Sequence, residues 1–266
     1  MDSDALLAFA HSLADAAAKE TLPRFRNETA ITNKLDEGFD PVTEADRTAE
    51  QVIRLLIEER FPTHGIKGEE FGEKTGNGRH RWVIDSIDGT RAFICGVPVW
   101  TTLIALEEDG VPILGIIDQP FLKERWVGYS QRDEQVLDVT EPLQTQTSGC
   151  EAIGEARLMV TDMRAGEYLT ETEAVDVARL AGCCRVTRQG LDSYAVGLVA
   201  SGDMDLVVEA GLHWHDIAAA IPVIKAAGGT ITDWNGEPLR DTHQSVKSII
   251  AATKPLAKAA SSIRVA

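Results

Sequence analysis

Apolar residues recur at helical spacing near the start of the chain. Leu6, Leu7, Ala10, Leu13, Ala14 and Ala17 fall on one face of a helix expected from Ser3 to about Phe25, with Ser3 as its N-cap. A polar stretch runs from there to Pro41. Thr43-Glu44-Ala45-Asp46 then opens a second helix, with Ala49, Val52, Ile53, Leu56 and Ile57 on its buried face and a stop before Phe61-Pro62. After the Gly76-Asn77-Gly78 loop the pattern becomes extended. Trp82-Val83-Ile84 is an apolar strand running into Asp85, and a turn then presents Asp88, Gly89 and Thr90. Val99 to Leu106 is rich in β-formers, Asp109-Gly110 is a hairpin turn, and Val111 to Asp118 is the returning strand, with Glu124 to Tyr129 as another. This half reads as two helices on a largely antiparallel sheet.

The second half alternates. Strands are expected at Arg157 to Thr161, Cys184 to Thr187, Met204 to Glu209, Thr230 to Trp234 and Ser248 to Ala252. Helices are expected at Tyr168 to Ala181, Ser193 to Ala200 and Asp216 to Ala227, the last ending at Gly228-Gly229 with a kink at Pro222. Such alternation favours an α/β fold, with an α+β character confined to the N-terminal half. A boundary in the polar stretch at 135 to 155 divides the chain into halves 1–145 and 146–266, the first carrying most of the candidate ligands. No internal repeat or low-complexity tract interrupts it.

With 266 residues the chain can bury a large core, and its 44% hydrophobic and 26% charged residues are ordinary for a globular protein. Charge changes the picture more. Lys+Arg 26 against Asp+Glu 42 gives a net charge of -16, which argues against nucleic acid or an anionic membrane as partner. An acidic protein that handles phosphate needs cations at its site to invert the local field. No apolar run approaches the roughly 18 residues of a membrane-spanning helix, and Met1-Asp2-Ser3-Asp4 lacks a basic leader. Cys95, Cys150, Cys183 and Cys184 form no C-x-x-C pair and read as reduced thiols, Cys183 and Cys184 both in the core. A cytoplasmic protein is the expectation.

Three acidic segments carry the candidate chemistry: Gly68-Glu69-Glu70-Phe71-Gly72, Asp85 with Asp88, and Asp216 after His213-Trp214-His215. Carboxylates from separate segments can converge on hard divalent cations, which prefer oxygen. Glu69 and Glu70 cannot easily both face one metal, and Glu69 is the favoured ligand. An isolated D-x-x-D is usually a capped turn; with G-E-E ahead and W-x-D behind, a metal site is the better reading. Gly89 permits close backbone approach or a positive φ, and the Thr90 hydroxyl can donate and accept. Asp46, three after Thr43, fits a capping box and equally a catalytic role, and the two are compatible. Asp216 could likewise cap its helix. His213 and His215 raise zinc, but no further cysteine or histidine clusters in sequence near them. Arg91 and Lys67 remain unassigned.

Trp82-Val83-Ile84-Asp85-Ser86-Ile87-Asp88-Gly89-Thr90, with G-E-E upstream and H-D-I-A-A-A-I-P-V-I-K-A-A-G-G downstream, resembles the inositol monophosphatase superfamily over nearly the whole chain. Asp88 to Ile94, Leu114 to Pro120 and, more weakly, Gln189 to Ala195 resemble its histidinol-phosphatase branch. The resemblance implies a layered αβαβα sandwich of the inositol monophosphatase and sugar phosphatase type, two or three Mg2+ per active site, lithium inhibition and a homodimer. It places Glu69, Asp85 and the Ile87 carbonyl on one magnesium and Asp85, Asp88 and Asp216 on a second. Thr90, paired with Asp46, orients the attacking water, while Gly89, Thr90, Asp192 and Glu209 contact the substrate. Two positions depart from the family pattern. Ser86 replaces proline, implying a less rigid turn, and His215 stands where tryptophan is frequent.

The expected reaction is hydrolysis of a small phosphate monoester, with histidinol phosphate preferred because its amine and imidazole suit carboxylates at Asp192 or Glu209. Inositol 1-phosphate, or a broad range of small phosphates, is the alternative. A non-catalytic protein binding metal or a phosphorylated ligand is the rival from another class, and the retained ligand set with Thr90 speaks against it.

Overall fold

A computed structural model describes residues 3–27, 31–33, 41–131, 134–140 and 143–265. Helix α1 spans Ser3–Thr21, followed by the short strands β1 (Ile31–Asn33) and β2 (Pro41–Thr43), helix α2 (Glu44–Arg60), and strands β3 (Gly65–Gly68), β4 (Glu73–Lys74) and β5 (His80–Asp88). Helix α3 (Thr90–Ile94) leads to β6 (Thr101–Glu108), β7 (Val111–Gln119), β8 (Glu124–Gln131) and β9 (Glu134–Val139). The remainder comprises β10 (Arg157–Val160), α4 (Glu171–Cys183), β11 (Val186–Gln189), α5 (Tyr194–Ala200), β12 (Leu206–Leu212), α6 (Trp214–Ile217), α7 (Ala220–Ala226), β13 (Thr230–Thr232), β14 (Val246–Ala251) and α8 (Lys254–Val265).

Two large sheets result. The first, ordered β4-β3-β5-β6-β7-β8-β9, is antiparallel except where β3 runs parallel to β5. The second, ordered β11-β10-β12-β14-β13, is parallel across β11-β10-β12 and antiparallel at β14.

Side-chain alternation along the strands sorts the core into layers. Trp82, Ile84, Ile104 and Ile116 on one face of the first sheet pack with Leu13, Ala17, Ile53 and Ile57 of α1 and α2. Val83, Leu103, Ile117 and Trp126 on the other face join α5 and α7 and reach Met159, Val207 and Ile250 of the second sheet. That sheet's outer face, with Leu158, Val160, Leu206 and Val208, packs on α4 and α8. The order is helix, sheet, helix, sheet, helix: an α/β layered sandwich. Among the described residues no helix is long and apolar enough to cross a membrane.

Several local expectations shift. Ser3 is already part of the first helix and so is not its cap, and that helix ends at Thr21. The polar stretch before Pro41 lies in part, at 28–30 and 34–40, outside the described residues. The helix expected at Tyr168 starts later because Thr170 and Glu173 make a capping box there, and it runs on to Cys183, which is exposed, so its core assignment is corrected; Cys184 is half-buried and packs against the core. Pro222 breaks its helix rather than bending it: with no N–H for the Ala218 carbonyl, it sits in the first turn of a new helix, α7. That helix closes on Gly228, φ +83°, with Gly228 N–H on the Lys225 carbonyl and Gly229 N–H on that of Ile224.

Candidate active site

The β5–β6 ladder pairs Asp85 with Leu103 but Asp88 with Thr101, so three steps on β5 match two on β6. That bulge cancels the alternation which would otherwise send Asp85 and Asp88 to opposite faces. Both carboxylates point the same way. Asp85 is buried and accepts the Ile87 N–H at 3.1 Å. Asp88 accepts the Ser193 N–H at 2.8 Å and faces the Thr101 hydroxyl at 3.4 Å. Asp216 arrives from α6, where it accepts the N–H of His213, its N-cap residue, at 2.6 Å and lies 3.2 Å from His215 Nε2. One oxygen from each of Asp85, Asp88 and Asp216 lies within 4.8 Å of the others.

Burial raises the carboxyl pKa of all three, and mutual repulsion adds to it: Glu69, Asp88 and Asp216 on Asp85, and Asp192 and Asp216 on Asp88. On Asp216 the neighbouring His215 opposes burial while Glu69 adds to it. Among the described residues no lysine or arginine forms a salt bridge with these three. Three crowded, largely sheltered carboxylates with only His215 beside one of them are unfavourable as anions unless a cation joins them, and an all-oxygen donor set suits magnesium rather than zinc. His213 and His215 instead stack on each other, ring centroids 5.4 Å apart. Glu69 lies outside the tight trio but beside it. The parallel register Gly68↔Ile84 and the Glu69 N–H on the Ile84 carbonyl, 3.3 Å, bring it alongside Asp85.

Asp46 serves both functions read for it. Its Oδ2 accepts the Thr43 N–H at 2.8 Å and the Thr43 hydroxyl at 2.6 Å, completing the capping box of α2. Its Oδ1 faces the Thr90 hydroxyl at 3.3 Å, which also lies 3.0 Å from the Ile87 carbonyl. Burial lifts the Asp46 carboxyl to about 7, against the Thr43 bonds and with help from Glu70 and Glu69. Ser86 is not a loose substitute for proline. Its hydroxyl donates to the Asp46 carbonyl at 2.7 Å and its own carbonyl accepts from Thr102 at 2.8 Å, so the turn is tied on both sides.

Gly89 holds φ at +83°, and a Cβ there would sit 2.8 Å from Asp192 Oδ2. Asp192 is thereby against the strand-end loop that bears Asp88 and Thr90. Glu209, buried on β12, accepts both the N–H and hydroxyl of Thr161, at 2.8 and 2.9 Å. Burial raises Asp192 to about 6, opposed by Arg91 and reinforced by Asp216. Burial likewise raises Glu209 to about 8, with Thr161 opposing and Asp192 adding. Arg91 pairs with Glu167 and lies over the Tyr168 ring, while Lys67 is held by Asp241 at 2.8 Å. Thr161, Ser193 and Thr101 are contacts that no local motif marks; each depends on a strand pairing or a loop crossing distant in sequence.

The model of the inositol monophosphatase family matches residues 2–265. The histidinol-phosphatase of Chlorobaculum parvum is 40% identical, covering 86% of each chain. The chloroplastic bifunctional phosphatase IMPL2 of Arabidopsis thaliana is 41% identical over 88% of this chain and 66% of its own length. A solved inositol monophosphatase from Zymomonas mobilis superposes with a TM-score of 0.85 at 38% identity, covering 100% of both chains.

Proposed function

Because the chain belongs to the inositol monophosphatase family and is a phosphate monoester hydrolase, we propose that it cleaves L-histidinol phosphate to L-histidinol and phosphate. Enzymes of this family are metal-dependent, generally on magnesium. Glu69, Asp85 and the Ile87 carbonyl would hold one magnesium, and Asp85, Asp88 and Asp216 a second. Cations held there would supply a lowered water pKa and compensate charge on the phosphoryl and leaving-group oxygens. The Thr90 hydroxyl takes the proton of the attacking water as it passes its own to Asp46 Oδ1, 3.3 Å away, which ends protonated as the general base. No side chain forms a covalent intermediate. Lithium inhibition and a homodimer belong to the same reading.

The observation that carries the substrate assignment is the pair Asp192 and Glu209, two sheltered carboxyls whose charged forms are disfavoured. A cationic imidazole or amine relieves that cost, whereas an inositol hydroxyl brings no charge. The similarity to the Chlorobaculum parvum protein supports it. The Zymomonas mobilis structure supports a second reading, inositol phosphate hydrolysis on the same machinery. Glu209→Gln and Asp192→Asn test the assignment. Each should lower kcat/KM for histidinol phosphate by roughly 10- to 100-fold, the worth of a charged hydrogen bond, and leave inositol 1-phosphate within about threefold. Equal losses on both substrates contradict it.

A further inference from the structure

Asp46, Glu50 and Arg54 follow one another at four-residue intervals on α2 and so share one face. Asp46 faces Thr90; the next two face the Gly68–Gly72 loop that carries Glu69. Glu50 has no exposed surface. Its Oε2 accepts the Glu70 N–H at 2.7 Å, and its Oε1 accepts the Phe71 N–H at 3.3 Å and Arg54 Nε at 2.6 Å. Arg54 also donates to the Gly72 carbonyl, which in turn accepts the Gly68 N–H at 3.0 Å. Gly68 is packed so tightly that a Cβ would lie 1.9 Å from Glu50 Oε1.

Resting on the reading that Glu69 is a magnesium ligand, we infer that Glu50 is a positioning residue for that metal. Its own contacts are to protein donors, and it is not itself assigned as a ligand. Its lone pairs are occupied by the two backbone N–H groups on the C-terminal side of Glu69 and by Arg54, and on the other side Gly68 abuts the carboxylate. The Glu69 backbone is therefore suspended between the β5 edge and a buried carboxylate on α2. A neutral glutamine can accept from one N–H but has no charge for Arg54 and only one acceptor oxygen, so the loop loses a fixed point and Glu69 its preset direction. Groups that orient metal ligands in this way typically change metal affinity 10- to 100-fold when altered.

The test is calorimetric titration of Mg2+ into the substrate-free protein, alongside turnover as a function of Mg2+. Glu50→Gln is expected to weaken Mg2+ binding about 10-fold or more, with kcat recovering to within about twofold at saturating Mg2+. Gly68→Ala, which displaces the carboxylate while keeping its charge, should do the same and serves if Glu50→Gln fails to fold. Glu69→Gln should weaken binding without recovering kcat. If Glu69→Gln weakens binding while a folded Glu50→Gln or Gly68→Ala binds Mg2+ as the parent does, the positioning role is refuted alone. If Glu69→Gln leaves Mg2+ affinity unchanged, the ligand assignment itself fails and this inference falls with it.

Discussion

Asp46→Asn separates two functions that the two oxygens of one carboxylate perform. The carbonyl of the asparagine can take the place of Oδ2 and still accept the Thr43 N–H and hydroxyl, now at 2.8 and 2.6 Å. Its amide then occupies the place of Oδ1, where it donates to Thr90 rather than accepts from it. The cap survives and the proton acceptor is lost. Stability should change by less than about 1 kcal/mol, equivalent to roughly 2–4 °C in Tm for a chain of this size. Turnover should fall about 10²- to 10⁴-fold, the usual contribution of a general base, or about 3–5 kcal/mol of barrier. Thr43→Ala is the complement. It removes the hydroxyl that caps the Ala45 N–H at 3.1 Å, which should cost about 1 kcal/mol and leave kcat within a few-fold. Thermal melts and phosphate release measured on both variants decide the matter. If Asp46→Asn keeps kcat within about threefold, Asp46 is only a cap; if the two variants lose activity in proportion to stability, the separation of functions is wrong.

Two further outcomes follow from the acidic centre. Asp85→Asn, at the carboxylate assigned to both magnesium sites, should abolish Mg2+-dependent phosphate release while leaving the circular dichroism spectrum unchanged; full activity would exclude Asp85 as a ligand. Asp46 and Glu209 have folded pKa values near 7 and 8, raised by burial from unfolded values near 4. Their stabilising contribution is complete below about pH 4, falls steadily as the unfolded chain ionises, and is gone by about pH 7 for Asp46 and 8 for Glu209. His64, held down to about 4 by burial, opposes this trend only below its unfolded value of 6.5. The metal-free protein should therefore lose Tm between about pH 5 and 8 and level off above that, and Mg2+ should restore more at the upper end; a Tm that rises across that window without metal would contradict the raised values.

What was legible in the sequence depended on how local its cause was. The Thr43–Asp46 box, the Asp109-Gly110 turn and the Gly228 stop are set by residues within four positions, and each stands where the pattern places it. Helix α8 was missed although Thr253-Lys254-Pro255 marks a start, because its buried face is Leu256, Ala257 and Ala260, a weak apolar stripe. The short pair β1–β2 carries no periodicity long enough to read. At the site, Asp85, Asp88 and Asp216 were identifiable as acidic residues at element ends. The bulge that turns the first two to one side is a property of the β5–β6 register. Glu50 looks like one more surface glutamate of an amphipathic helix, and only the docking of the Gly68–Gly72 loop shows that its carboxylate is occupied from the inside.

The most direct measurement is phosphate release with Mg2+ from L-histidinol phosphate and from inositol 1-phosphate, side by side, as kcat/KM. Asp192 and Glu209 predict a preference for the cationic substrate of at least about 10-fold. A preference for the inositol ester would keep the metal chemistry and overturn the substrate assignment, and turnover of neither would contradict the proposed reaction itself.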